Sequence, residues 1–143
     1  VSTLDLETAR RIVAGARAHA REAGLKPLTV VVLDGGGHVV AVEREDGSSN
    51  KRFEVGFGKA HGALSLGMGS RSLMARAEQQ PFFIAAVTSA VGGALVPVPG
   101  GVLVRDAEGT LLGAVGITGD TSDNDEAAAV AGIEAAGLSA QVD

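Results

Sequence analysis

The stretch from Pro97 to Glu126, PVPGGVLVRDAEGTLLGAVGITGDTSDNDE, constrains the fold more than any other part of the chain. Gly100-Gly101 turns into the apolar run Val102–Arg105, Asp106–Thr110 reads as a hairpin turn, and Leu111–Thr118 is a long apolar strand. Strands joined by so short a turn pair antiparallel. The acidic loop Asp120–Glu126 then opens a helix predicted over Asp123–Ala136, with Ser122 as its cap, Asp125 in its first turn and Gly137 at its end. The remainder of the chain must supply the layers that cover these strands.

Residues 4–23 carry Leu6, Ala9, Val13, Ala16 and Ala20 at three- and four-residue spacing, which predicts an amphipathic helix capped by Ser2 or Thr3 and ended at Gly24. His19 lies beside that stripe. Leu28–Asp34 and His38–Arg44 flank Gly35-Gly36-Gly37 and predict a hairpin. Both strands are apolar on both faces, so the sheet is expected to be covered on each side. Lys51–Leu66 is predicted as a helix with Phe53, Phe57, Ala60 and Leu64 on one face and Val55, Gly62 and Leu66 nearly opposite. Its Gly56, Gly58 and Gly62 each lower helix propensity by about 1 kcal/mol relative to Ala, a disadvantage that close packing can offset. Shorter helices follow at Arg71–Gln80 and Pro81–Ala90, then a short strand at Leu95–Pro97. Hairpins rather than βαβ crossovers imply an α+β fold. The expected architecture is a three-layer αβα sandwich around a five-stranded antiparallel sheet, in one domain over residues 1–143.

Composition narrows the functional classes. The net charge of −5 argues against nucleic acid and against an anionic membrane surface. No apolar run approaches the roughly 20 residues of a spanning helix. The absence of cysteine removes disulfides, thiol nucleophiles and thiolate metal sites together. No signal-peptide pattern follows Val1, so the chain is expected to be cytoplasmic, or to have lost a leader before this numbering begins.

Four segments resemble the GlcG/HbpS-like heme-binding proteins, relatives of the C-terminal domain of PduO. They are VVVLDGGGHVVAVEREDG (30–47), GKA (58–60), VPVPGGVLV (96–104) and LLGAVGITGDTSDNDEAAAVAGI (111–133). The resemblance spans nearly the whole chain. It implies a profilin-like αβα sandwich, a homo-oligomer built from dimers, and binding of a small ligand, with heme as the cofactor. It also implies association with corrinoid metabolism and with glycolate or aromatic-degradation gene clusters. The chain departs from the common pattern at His61, where a hydroxyl or aromatic residue is usual, and it lacks a proline after Gly100-Gly101.

Heme iron takes His, Cys, Met or Tyr ligands, and only His19, His38, His61, Met68 and Met74 are present. His38 starts a strand beside a tight turn and is expected in solvent. His61, on the glycine-rich helix, is the leading candidate. The resemblance adds His19, through family members with a ligand on the first helix at a subunit interface. Lys59 reads as a charge partner for a carboxylate or propionate, or else as a lysine snorkelling at a helix contact. It lies about 200° around the helix from His61, so the two point to different sides. Gly100 and Gly101 offer backbone N–H groups to a ligand or simply form a turn. The histidines lack metal-ligand spacing such as HExxH, and the acidic loop lacks EF-hand spacing, so no metal site is expected. A competing reading is a metal-free isomerase or tautomerase acting on a small carboxylate or an aromatic-degradation intermediate. His61 would be its acid or base, Asp125 or Glu126 would assist, and the glycine turn would hold the oxyanion. The expected pocket lies between the Lys51–Leu66 helix, Gly100-Gly101 and the acidic loop.

Overall fold

The computed structural model describes residues 3–143. The elements run α1 (Leu6–Ala23), β1 (Thr29–Asp34), β2 (Val39–Arg44), α2 (Arg52–Leu66), α3 (Ser70–Gln79), α4 (Pro81–Ala90), β3 (Gly101–Arg105), β4 (Leu111–Thr118), α5 (Ser122–Ala135) and β5 (Ser139–Gln141). The sheet order is β2-β1-β4-β3-β5, with every neighbouring pair antiparallel. α1 and α5 cover one face through Ile12, Val13, Ala16, Ala128 and Ile133, which meet Val30, Val32, Val102 and Val115. α2 covers the other face, where Ala60 and Ala63 meet Val31, Leu33, Leu103 and Ala114. α3 and α4 close a smaller apolar cluster around Leu73, Ile84 and Leu95. The α+β class and the three layers are as expected.

The glycines of α2 have a packing reason. A Cβ on Gly116 of β4 would collide with the carbonyl oxygen of Gly56, and one on Gly56 would lie 3.1 Å from a Val31 methyl. The helix therefore rests almost backbone to backbone on the middle of the sheet. This contact offsets the weak intrinsic helix propensity of the segment.

Several expectations need correction. Leu95–Pro97 is not a strand: Pro97 has no N–H to donate, and the Val96 N–H goes to the Gly58 carbonyl on α2 at 3.1 Å. The fifth strand is instead β5, which pairs Leu103 with Gln141 and Arg105 with Ser139. Asp5 caps α1, accepting from the Thr8 N–H at 2.8 Å, in place of Thr3; Ser2 lies outside the described residues. Leu6 points outward at 52% exposure, and Ile12 takes its place in the buried stripe. Thr121, not Ser122, caps α5 by accepting from the Asn124 N–H at 3.2 Å. β2 is an edge strand and is only partly covered, unlike β1. No helix among the described residues is long and apolar enough to cross a membrane.

Candidate functional site

The structure brings Lys59, Asp125, Gly100 and Gly101 together at the end of β4. Lys59 and Asp125 are each 2% exposed in their side chains and form an ion pair at 3.2 Å. The Lys59 ammonium also donates to the Ile117 carbonyl at 2.8 Å, and the second Asp125 oxygen accepts from the Asp120 N–H at 2.9 Å. Gly100 has φ +123°, and a Cβ there would lie 2.8 Å from the Lys59 nitrogen and 2.6 Å from the Ile117 oxygen. The Gly101 N–H donates to the Ser70 hydroxyl at 2.7 Å. The lysine, the carboxylate and the glycine turn thus use one another as partners. Burial pushes the Lys59 pKa down, against the attraction of Asp125. Burial likewise pushes Asp125 up, against the Asp120 N–H and the Lys59 charge. For both groups the loss of water outweighs the attraction between them, as is usual for an ion pair deep in a protein.

Glu126 lies one residue on and is bound elsewhere. Arg71 of α3 grips it through Nε at 3.0 Å and Nη2 at 3.0 Å, and reaches Asp123 as well. These hydrogen bonds hold the Arg71 pKa above its ordinary value. His61 shares no hydrogen bond with Asp125 or Glu126, so the acid–base trio proposed from sequence is not assembled within one chain.

His61 sits on the other side of α2, as the helical angle required. Its Nδ1 lies 2.9 Å from the Ala94 carbonyl oxygen. A carbonyl can only accept, so Nδ1 carries the hydrogen and the lone pair of the neutral ring belongs to Nε2. The ring stacks on Phe57 with centroids 5.2 Å apart and planes 18° apart, and Phe57 stacks on Phe53 at 5.8 Å. These are i, i+4, i+8 neighbours, so one helix face aligns the three rings. The Cδ2 edge of His61, which includes Nε2, faces Gly37, whose added Cβ would lie 3.7 Å away. An open cleft of about 160 Å³ lies there, between Gly35–Gly37 and His61, Leu64 and Ser65.

His19 is half-exposed on α1, beside a shallow cleft of about 270 Å³ shared with Glu22 and Ala23. α1 and α2 cover opposite faces of the sheet, so the two imidazoles of one chain do not face a common site. His38 is exposed and bonds to Asp34 at 3.1 Å. No group of three or more His, Asp or Glu side chains is placed to hold a metal ion among the described residues.

A family model described as "Haem degrading protein HbpS-like" matches residues 4–134. The chain belongs to the HbpS-like family. The crystal structure of HbpS itself is 28% identical, with a TM-score of 0.79, covering 94% of this chain and 90% of that one. The PduOC:heme complex is 22% identical, with a TM-score of 0.83 over 95% of this chain and 96% of that one. The Klebsiella pneumoniae protein ORFY is 24% identical, with a TM-score of 0.85 over 96% and 92%. The last two bear on the fold alone. No curated protein matches significantly. Within this HbpS-like chain, nothing in the geometry or the comparisons favours acid–base isomerisation.

Proposed function

We propose that this HbpS-like protein binds heme, with His61 Nε2 as the group that would hold its iron, on a face of α2 that a second copy of the chain completes. The observation that carries the reading is the hydrogen bond from His61 Nδ1 to the Ala94 carbonyl. Metal-bound histidines commonly donate their other ring nitrogen in this way, which fixes the tautomer and strengthens the ligating nitrogen. Phe57 holds the ring from one side, and the half-buried Phe53 and Leu64 supply apolar surface nearby. A bound heme would contribute the redox chemistry of its iron; the residues of this chain hold and orient it. Two features support a site shared between copies. The cleft beside His61, about 160 Å³, is below the roughly 300–1,000 Å³ of pockets that enclose a drug-sized ligand. The neighbouring edge strand β2 leaves Val39 48% exposed.

The test is a hemin titration of the wild type, His61→Ala and His19→Ala, with sedimentation velocity on each. Saturable one-site binding with a shifted Soret band is expected for the wild type and His19→Ala and is expected to be lost in His61→Ala. Nonstoichiometric uptake by the wild type would remove the heme reading. Loss in His19→Ala alone would move the ligand to α1.

A further inference from the structure

A second cleft lies at the opposite end of α2, away from the His61 cleft. Arg52 and His61 are nine positions apart on one helix, which places them about 13.5 Å apart along its axis and on opposite sides. Arg52 belongs to a cleft of about 200 Å³ with Lys26, Gly47, Ser48, Ser49 and Gly119. We propose that this cleft binds a small oxyanion, the carboxylate or phosphate group of a small molecule.

The guanidinium is held in place before any ligand arrives. Arg52 Nε donates to the Ser49 hydroxyl at 3.1 Å and Nη1 donates to the Thr118 hydroxyl at 2.8 Å. Nη2 has no protein partner among the described residues. Both anchors are neutral hydroxyls, and Arg52 forms no ion pair among the described residues. Arg17 and Arg71, by contrast, each bind two carboxylates. Lys26, the second cation of the cleft, also forms no ion pair among the described residues. Its exposed ammonium and the fixed fork of Arg52 are a suitable pair for an oxyanion, one mobile charge and one oriented donor.

Three further observations agree. Ser48 is 6% exposed in the cleft wall, and its hydroxyl has no hydrogen-bond partner among the described residues. Buried hydroxyls are normally satisfied, and a bound oxygen would be an acceptor for this one. The N-cap of α2, Lys51, makes no side-chain capping bond, and although the Arg52 N–H donates to the Ser49 carbonyl at 3.3 Å, the positive end of the helix dipole lies beside the cleft. Finally, two carboxylates on the neighbouring segments are already engaged. Glu45 accepts from Arg17 at 3.0 Å and from the Leu28 N–H at 2.7 Å. Asp120 accepts from the Asn124 amide and from the Lys26 and Thr121 N–H groups, bonds that together with the Lys26 charge hold its pKa at about 2.

The experiment is an amide ¹H–¹⁵N titration of the full chain with inorganic phosphate in one arm and acetate in the other, at constant ionic strength against chloride. Saturable shifts confined to Gly47–Arg52, Lys26 and Gly119 are expected, and the tighter arm identifies the group preferred. Arg52→Gln is expected to weaken binding about tenfold or more, the loss of a charge-assisted hydrogen bond. Lys26→Gln, a change at an exposed side chain, is expected to weaken it about two- to fivefold. Ser48→Ala should bind less tightly while folding as stably as the wild type. Shifts no larger than those given by chloride would overturn the proposal. So would shifts that persist undiminished in both Arg52→Gln and Lys26→Gln.

Discussion

Separating Lys59 from Asp125 should produce two variants whose stability deficits change with pH in opposite directions. Asp125→Asn keeps an acceptor for the Asp120 N–H but leaves the Lys59 ammonium buried without a counter-charge. The folded variant can escape by deprotonating the lysine. From its ordinary pKa of 10.5, that costs about 4.8 kcal/mol at pH 7 and about 2.0 kcal/mol at pH 9, at 1.36 kcal/mol per unit. This sets a ceiling that agrees with the roughly 3–5 kcal/mol typical of breaking a buried pair. Between a lowered folded pKa and 10.5 the unfolded chain binds more protons, so stability rises with pH, and the Asp125→Asn deficit shrinks toward pH 9. Lys59→Met leaves the Asp125 carboxylate alone. Protonating it from 3.8 costs about 4.4 kcal/mol at pH 7 and about 1.6 kcal/mol at pH 5. Here the folded pKa is raised and the folded chain binds more protons in the window above 3.8, so stability falls as pH rises and the deficit shrinks toward acid. The double variant Lys59→Met/Asp125→Asn carries neither stranded charge and should be more stable at pH 7 than either single variant. Urea denaturation followed by far-UV circular dichroism at fixed protein concentration measures all four proteins, since the chain has no Trp or Tyr to report by fluorescence. Parallel pH profiles for the two single variants, or a double variant with the sum of their losses, would refute the argument from burial.

Two further substitutions test the packing and capping assignments. Gly116→Ala forces a methyl against the Gly56 carbonyl and should lower stability by about 1–3 kcal/mol or more, read from the same urea curves; a change under about 0.5 kcal/mol would mean that α2 stands off the sheet. Thr121→Ala should cost about 1 kcal/mol by uncapping α5, while Ser122→Ala should stay within about 0.5 kcal/mol, and the reverse order would return the cap to Ser122.

The layers were legible because hydrophobic period and turn chemistry agree over most of the chain. The apolar runs before and after the DAEGT turn became β3 and β4 at the expected positions. The fifth strand was not legible. Ser139–Gln141 is three residues with little strand propensity, and only the exposed edge of β3 makes it a strand, helped by the Arg105 bond to Gln141 at 2.7 Å. Leu95–Pro97 has better local credentials, but its proline cannot donate to a ladder. For the site, sequence named the right residue types but not their partners. Lys59 and Asp125 are 66 positions apart, and the readable clue was a lysine flanked by Gly58 and Ala60 on a helix apolar on two sides. The partner of His61 is a carbonyl in the Gly92–Val96 turn, and a backbone acceptor leaves no mark in the residue pattern. The Phe53, Phe57, His61 stack was visible as a four-residue spacing. Lys26, the Gly47–Arg52 stretch and Gly119 come from three separate segments that only the fold brings to one cleft.

The central claim is that His61 presents Nε2 to heme iron, and chemical rescue tests it most directly. His61→Gly should lose the Soret band of the ferric complex, and added imidazole should restore that band saturably by occupying the vacated position. A His61→Gly protein that binds hemin with the wild-type spectrum, with no response to imidazole, would contradict the account.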